Sequence, residues 1–103
     1  MIYLNKWADY LISAVRYNKD HPHIEKVKVH EDEGDRVGSP HEEDRKTVIS
    51  NLKQGKSYCT ILREEDKWKK GAMVGIVKIN NKEYIRTDKN EIEEDNLGEL
   101  PGF

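Results

Sequence analysis

The sequence predicts an α+β domain with the element order ββαβββ, in which one helix covers the apolar side of a mostly antiparallel five-stranded sheet. Three observations carry this. Short runs rich in Val, Ile and Tyr recur along the chain, bounded by Asn, Asp, Gly and Pro. Only one segment, beginning at Ser39, carries both a helix start signal and an apolar stripe at helical spacing. The chain has 103 residues, enough for one small domain, and 37% of them are charged. A small, bent barrel with a helical plug is the alternative arrangement of the same elements.

The elements follow in order. Trp7 to Tyr17 reads as a strand. Tyr10, Ile12 and Ala14 point to one side and Leu11, Val15 and Tyr17 to the other, so both faces are to be covered. Asn18 to Pro22 is turn chemistry, because Asn and Asp bond their own backbone and Pro lacks a ladder donor. Ile24 to Val29 alternates as a half-exposed strand and pairs back as a hairpin. Glu31 to Gly38 is a charged loop.

Ser39-Pro40-His41-Glu42 has the form of a capping box, with Pro at the first helical position. The spacing therefore predicts a helix starting at Ser39. Arg45, Val48, Ile49 and Leu52 form its stripe, and Gly55 its stop. Tyr58 to Leu62 is the third strand and Arg63 to Lys67 a polar turn. Trp68 to Ile79 is the fourth strand, Asn80-Asn81 a two-residue hairpin turn, and Lys82 to Arg86 the fifth strand. Leu97, Leu100, Pro101 and Phe103 make the end of the chain too apolar for a solvated tail. The expectation is one domain over 1–103, with 88–103 packed back on the sheet.

Composition narrows the function. Leu, Ile, Val and Phe number 23 of 103, so the core is thin. Near the N-terminus the longest uncharged stretch is Tyr10 to Val15, below the ~7–15 apolar residues of a signal peptide and the ~20 of a membrane helix. With a single cysteine no disulfide forms within the chain, which suits a reducing compartment. The expectation is a cytoplasmic protein with no membrane partner. Net charge is −2, but unevenly spread: residues 56–87 carry eight basic and four acidic residues, whereas 88–103 carry one and six.

Tyr84-Ile85-Arg86-Thr87-Asp88, Asn90, Asp95-Asn96-Leu97-Gly98, Leu100-Pro101 and Phe103 resemble the C-terminal signature of a family of small prokaryotic proteins catalogued as domain of unknown function number three-eight-nine-two. Ala14-Val15-Arg16-Tyr17 and His23 to Val29 are similar to its N-terminal half. The resemblance spans residues 10–103 and implies one domain that includes the tail. It brings no catalytic residues.

The residues show no catalytic set. His21, His23, His30 and His41 invite a metal reading, but a site needs three or four converging ligands, and surface histidines around a loop explain them better. Glu31 to Asp35 lacks the spacing of a calcium loop. Cys59 lies mid-strand with no source of thiolate activation. No cofactor is expected.

Lys67-Trp68-Lys69-Lys70 is the strongest binding feature, with Arg63, Lys56 and Arg86 alongside if the last three strands form a meander. The expected function is a noncatalytic binding or adaptor module for a protein partner, contacting it through Trp68, Lys69, Lys70, Arg63 and Arg86, with Trp7 a further aromatic. The alternative is a nucleic-acid-binding accessory protein, in which Trp68 stacks on bases and the acidic segment from Asp88 to Glu99 screens the basic hairpin. A small hydrolase or metal enzyme is the third class. Convergence of Lys56, Arg63, Lys69, Lys70 and Arg86 on one face favours nucleic acid, and scatter disfavours it.

Overall fold

Apolar residues on both faces put Tyr10–Tyr17 (β1) at the centre of a five-stranded sheet. A computed structural model describes residues 6–19, 23–34, 36–88, 94–98 and 100–103. β1 pairs antiparallel with Ile24–Glu31 (β2), as the hairpin reading expects. Its other neighbour is Tyr58–Glu64 (β4), and that pairing is parallel, so the sheet is mixed. A register shift between Ile12 and Ala14 lets Ile12 and Val15 face the same side. There they join Val27, Val29 and Tyr58 in the larger core cluster. Leu11, Cys59, Ile61 and Ala8 form a smaller cluster. Among the residues between β1 and β2, Asp20, His21 and Pro22 lie outside the described set.

The helix does not start at Ser39. His41–Asp44 instead forms a strand (β3) on the free edge of β2, and the helix (α1) spans Arg45–Lys53. Ser39 is extended whether it caps a helix or leads into a strand, so Pro40 does not decide between the two. The residues that follow then satisfy β2's otherwise unpaired backbone groups. Glu42 sits opposite Lys28 and 3.6 Å from Lys26, and Glu43 accepts the Tyr58 hydroxyl at 2.6 Å. The cap falls to Asp44, whose carboxylate accepts the Thr47 N–H at 2.8 Å. The stripe and the stop hold: Val48 is fully buried, Ile49 and Leu52 pack beside it, and Gly55 closes the helix at φ 90°. Gly55 N–H donates to Leu52 and Lys56 N–H to Asn51, the paired bonds of a Schellman end.

The run Trp68–Ile79 is also not one strand. Lys67–Met73 (β5) pairs with β4 across the Glu65-Asp66 turn. Gly75–Ile79 (β6) pairs with Lys82–Arg86 (β7) in a separate two-stranded sheet. Val74 lies between them, its N–H on the Tyr58 carbonyl at 2.9 Å, and within β5 a bulge opposite Thr60 has the Thr60 hydroxyl accept the Ala72 N–H at 2.9 Å in place of a ladder bond. Gly71 is required there, because a Cβ would stand 2.2 Å from that hydroxyl. Asn80 and Asn81 both take positive φ, as the hairpin turn demands. Among the described residues there are thus seven strands in the order βββαββββ, the last three do not form a meander, and neither sheet closes into a barrel.

The end of the chain fills the space beside both sheets. Thr87 N–H donates to Asn96 and Asn96 N–H to Ile85, so the segment extends the β7 edge. Further on, Val15 N–H donates to Pro101 at 3.0 Å, on the stretch of β1 that β4 does not reach. Arg16 donates to the Phe103 carbonyl at 2.9 Å and lies over its ring. Leu97 is buried in the main cluster. Asp95 is buried too, and its carboxylate accepts Ile24 N–H at 2.7 Å, Ile85 N–H at 2.8 Å and Arg45 Nε at 2.7 Å.

Two stability predictions follow from these contacts. Leu97→Ala should cost about 2–5 kcal/mol in a urea melt, the range for emptying a buried leucine site. Asp44→Ala should lower the urea midpoint, whereas Ser39→Ala should leave it unchanged. Hydrogen bonds from the Thr47 hydroxyl, and then its N–H, hold the Asp44 carboxyl below the usual carboxylate range. A depressed pKa stabilises the fold above the unfolded value of about 3.9 and ceases to do so as pH falls through the folded value. The midpoint gap between parent and Asp44→Ala should therefore close on acidification in that window.

Candidate functional site: a two-tryptophan cleft

Trp68 is the second residue of β5, opposite Arg63 on β4. Opposed residues of an antiparallel pair share a face, so the Arg63 guanidinium lies over the indole, 4.9 Å from its centroid. The His30 ring also neighbours the indole, at 5.8 Å. Trp68 is half-buried against the Leu11–Cys59–Ile61 cluster, and Trp7 and Val37 pack on the same cluster.

Trp7 is held by a loop. Asp32 is buried, and one carboxylate oxygen accepts Trp7 N–H at 2.6 Å and Ala8 N–H at 3.3 Å. The other accepts Gly34 N–H at 2.9 Å. The loop closes on itself through Glu33 N–H to Arg36 and Gly38 N–H to Glu31. This is what the Glu31 to Asp35 acids do: Asp32 binds backbone donors, while Asp35 lies outside the described residues. Between Trp7 and Trp68 opens a cleft of about 510 Å³. Leu11 and Val37 give it apolar lining, and exposed Arg36 and Lys67 give it cations. Arg36 is partly neutralised by Glu33 at 2.9 Å.

His30 sits across the β1–β2 ladder from Leu11. Its Nδ1 is 2.9 Å from the Gly38 carbonyl, which can only accept, so Nδ1 carries the proton. In the neutral ring Nε2 then accepts the Ser13 hydroxyl at 2.7 Å. Both residues are buried and neither lines the cleft. The pair joins β1, β2 and the loop, and it backs Trp68.

The sequence-selected cations divide. Arg63 and Lys70 share the Trp68 face by strand alternation. Lys69 points to the other face, 3.4 Å from Glu64. Lys56 precedes β4. Arg86 is in the other sheet, buried, with its guanidinium on Asp88 at 2.7 Å and on the Glu94 carbonyl at 2.7 Å. Of the acidic segment, Asp88 thus holds Arg86 and Asp95 holds Arg45. Residues 89–93 and Glu99 lie outside the described set.

The histidines do not gather. His30 is buried rather than on the surface, His23 stacks on Tyr84 at 5.5 Å, and His41 meets Glu43 at 2.6 Å. His21 lies outside the described residues. Among the described residues no three His, Cys, Asp or Glu side chains form a ligand group. Cys59 is buried, and burial pushes its thiol pKa up, away from the reactive thiolate.

The chain belongs to the family described as Protein of unknown function (DUF3892), whose model matches residues 11–101. The match takes in Asp32, Arg36 and Trp68 but starts after Trp7. No curated protein and no solved structure matches the chain. Among the described residues no helix is long and apolar enough to cross a membrane.

Cys59 offers a direct check of the packing under Trp68. At pH 8 a disulfide thiol reagent should leave it unmodified in the native protein and titrate one thiol in urea. Rapid modification without urea would mean that the cluster beneath the cleft is open.

Proposed function

We propose that the protein is a noncatalytic binding module, and that its partner is a protein segment seated in the Trp7–Trp68 cleft. The observation that carries this is the cleft's composition: two indole walls, apolar lining from Leu11 and Val37, and the cations Arg36 and Lys67. Tryptophan and arginine dominate the energetics of protein interfaces, because a flat aromatic buries a large area at low entropic cost. The cations select for a carboxylate next to the anchoring side chain. A buried free thiol and a chain with no disulfide accord with a cytoplasmic setting.

The basic residues favour a protein over nucleic acid. A strand of phosphates needs cations along a continuous groove beside the stacking aromatics. Here Arg86 is occupied in the other sheet, Lys69 pairs with Glu64 on the face away from Trp68, and Arg63, Lys70 and the cleft-lining Arg36 and Lys67 form a cluster around the indole rather than a continuous groove.

The test is a random-peptide display selection against the parent, counter-selected on Trp68→Ala protein. The expected outcome is enrichment of acidic peptides with one apolar anchor, whose binding quenches tryptophan fluorescence and falls at least tenfold in Trp7→Ala. No enrichment over blank, together with Trp68-dependent binding of a labelled single-stranded oligonucleotide, would move the module to nucleic acid.

A further inference from the structure

We propose that the partner segment adds to the sheet as a strand, pairing antiparallel with the open edge of β5 and carrying acidic residues opposite its lysines. This rests on the protein-partner reading above and names the partner's conformation and charge. Among the described residues β5 is an outer strand of the five-stranded sheet, hydrogen-bonded only to β4. Every residue of it except Trp68 is exposed, and Met73 is 46% exposed. Among the described residues the extended backbone from Lys67 to Lys70, ahead of the bulge at Ala72, is thus open along one edge, beside the cleft that Trp68 and Lys67 line.

The register says which groups are available. Glu64 and Lys67 flank a two-residue turn, so they form a hydrogen-bonded pair, and pairs alternate from there. Lys69 therefore bonds inward to Leu62. The N–H and C=O of Trp68 and Lys70 point outward. An added strand would exchange both bonds with each of these two residues. Its residue opposite Trp68 lies on the Trp68 face, next to the cleft, and supplies the apolar anchor.

Charge chooses the occupant. Lys67, Lys69 and Lys70 give three cations within four residues. Lysine on an edge repels indiscriminate pairing, and directly opposed like charges destabilise. A second β5 is therefore excluded as the partner. The acidic β3 of a second copy is a poor one, because its carboxylates are already used. Glu42 meets Lys26, Glu43 takes the Tyr58 hydroxyl, and Asp44 caps the helix. A separate acidic segment has no such prior commitments, so it is favoured where other strands are rejected.

The probe is an acetylated, amidated peptide with the core Glu-Glu-Val-Glu between short Thr-rich flanks. In antiparallel register its residues face Lys70, Lys69, Trp68 and Lys67 in turn. Binding is read by amide exchange in NMR and by titration. The expected result is protection of the Trp68 and Lys70 amides on binding. N-methylation of the first Glu or the Val should weaken binding about tenfold, and N-methylation of the other two should not. The K67E/K70E protein should lose the peptide and take up one in which the first and last core Glu are Lys. Binding with equal tolerance of N-methylation at all four positions would overturn strand addition while leaving the cleft reading intact. So would failure of the probe to bind a parent that does bind selected peptides. Peptide-free self-association that K67E/K70E abolishes would assign the edge to a second copy and also overturn the proposal.

Discussion

One buried carboxylate ties this fold together. Asp95 receives a backbone N–H from β2 and another from β7, and it pairs with Arg45 at the first turn of α1. A charge without solvent persists only if its lone pairs are filled, and here three elements distant in sequence fill them. Arg45 extends the link, since its guanidinium also donates to the Glu83 carbonyl. The helix, the main sheet and the two-stranded sheet therefore share one polar joint beneath an apolar layer of Val48, Ile85 and Leu97. With 35% hydrophobic residues, this chain has little area to spare for holding two sheets together by packing alone.

The joint also decides which face is left for binding. Asp95 and Leu97 bring the end of the chain over the helix side of the sheet, and the segment reaches β1 through Pro101 and Phe103. That side is then filled by α1, β6, β7 and the tail. Among the described residues the opposite side has the small cluster around Leu11, Cys59 and Ile61. Its cover is the Trp7 segment and the loop that Asp32 fastens, and the cleft opens between that cover and Trp68. Asp95 and Asp32 thus do similar work on opposite sides: each turns a loose segment into cover by accepting several N–H donors.

Local signals in the sequence hold where local physics governs. Asn80-Asn81 makes its turn because both residues tolerate positive φ. Gly55 ends the helix, and Val48, Ile49 and Leu52 face the core. Ser39 misleads because Ser-Pro-x-Glu satisfies every local rule of a helix start, yet β2's bare edge competes for the same backbone and wins. The bulge at Ala72 is invisible for a related reason: it is held by a Thr60 hydroxyl on a neighbouring strand. Trp68, Arg63 and Lys70 of the site were legible as an aromatic among cations. Asp32, Arg36 and Val37 were not, because a charged loop looks the same whether it is solvated or folds beneath a tryptophan. His30 gave no sign of burial, since its partners Ser13 and Gly38 are distant in sequence or supplied by a main-chain carbonyl.

Asp95 acts as a single joint, and native-state hydrogen exchange on Asp95→Asn protein tests that most directly. Asparagine keeps the shape but removes the charge and turns one acceptor into a donor. The Ile24 and Ile85 amides, in different sheets, should lose protection together and by similar factors, and the Val15 amide bonded to Pro101 should loosen with them. If only the Ile85 amide accelerates while Ile24 and Val15 keep their parent rates, the sheets are held independently and Asp95 is a local contact of the tail.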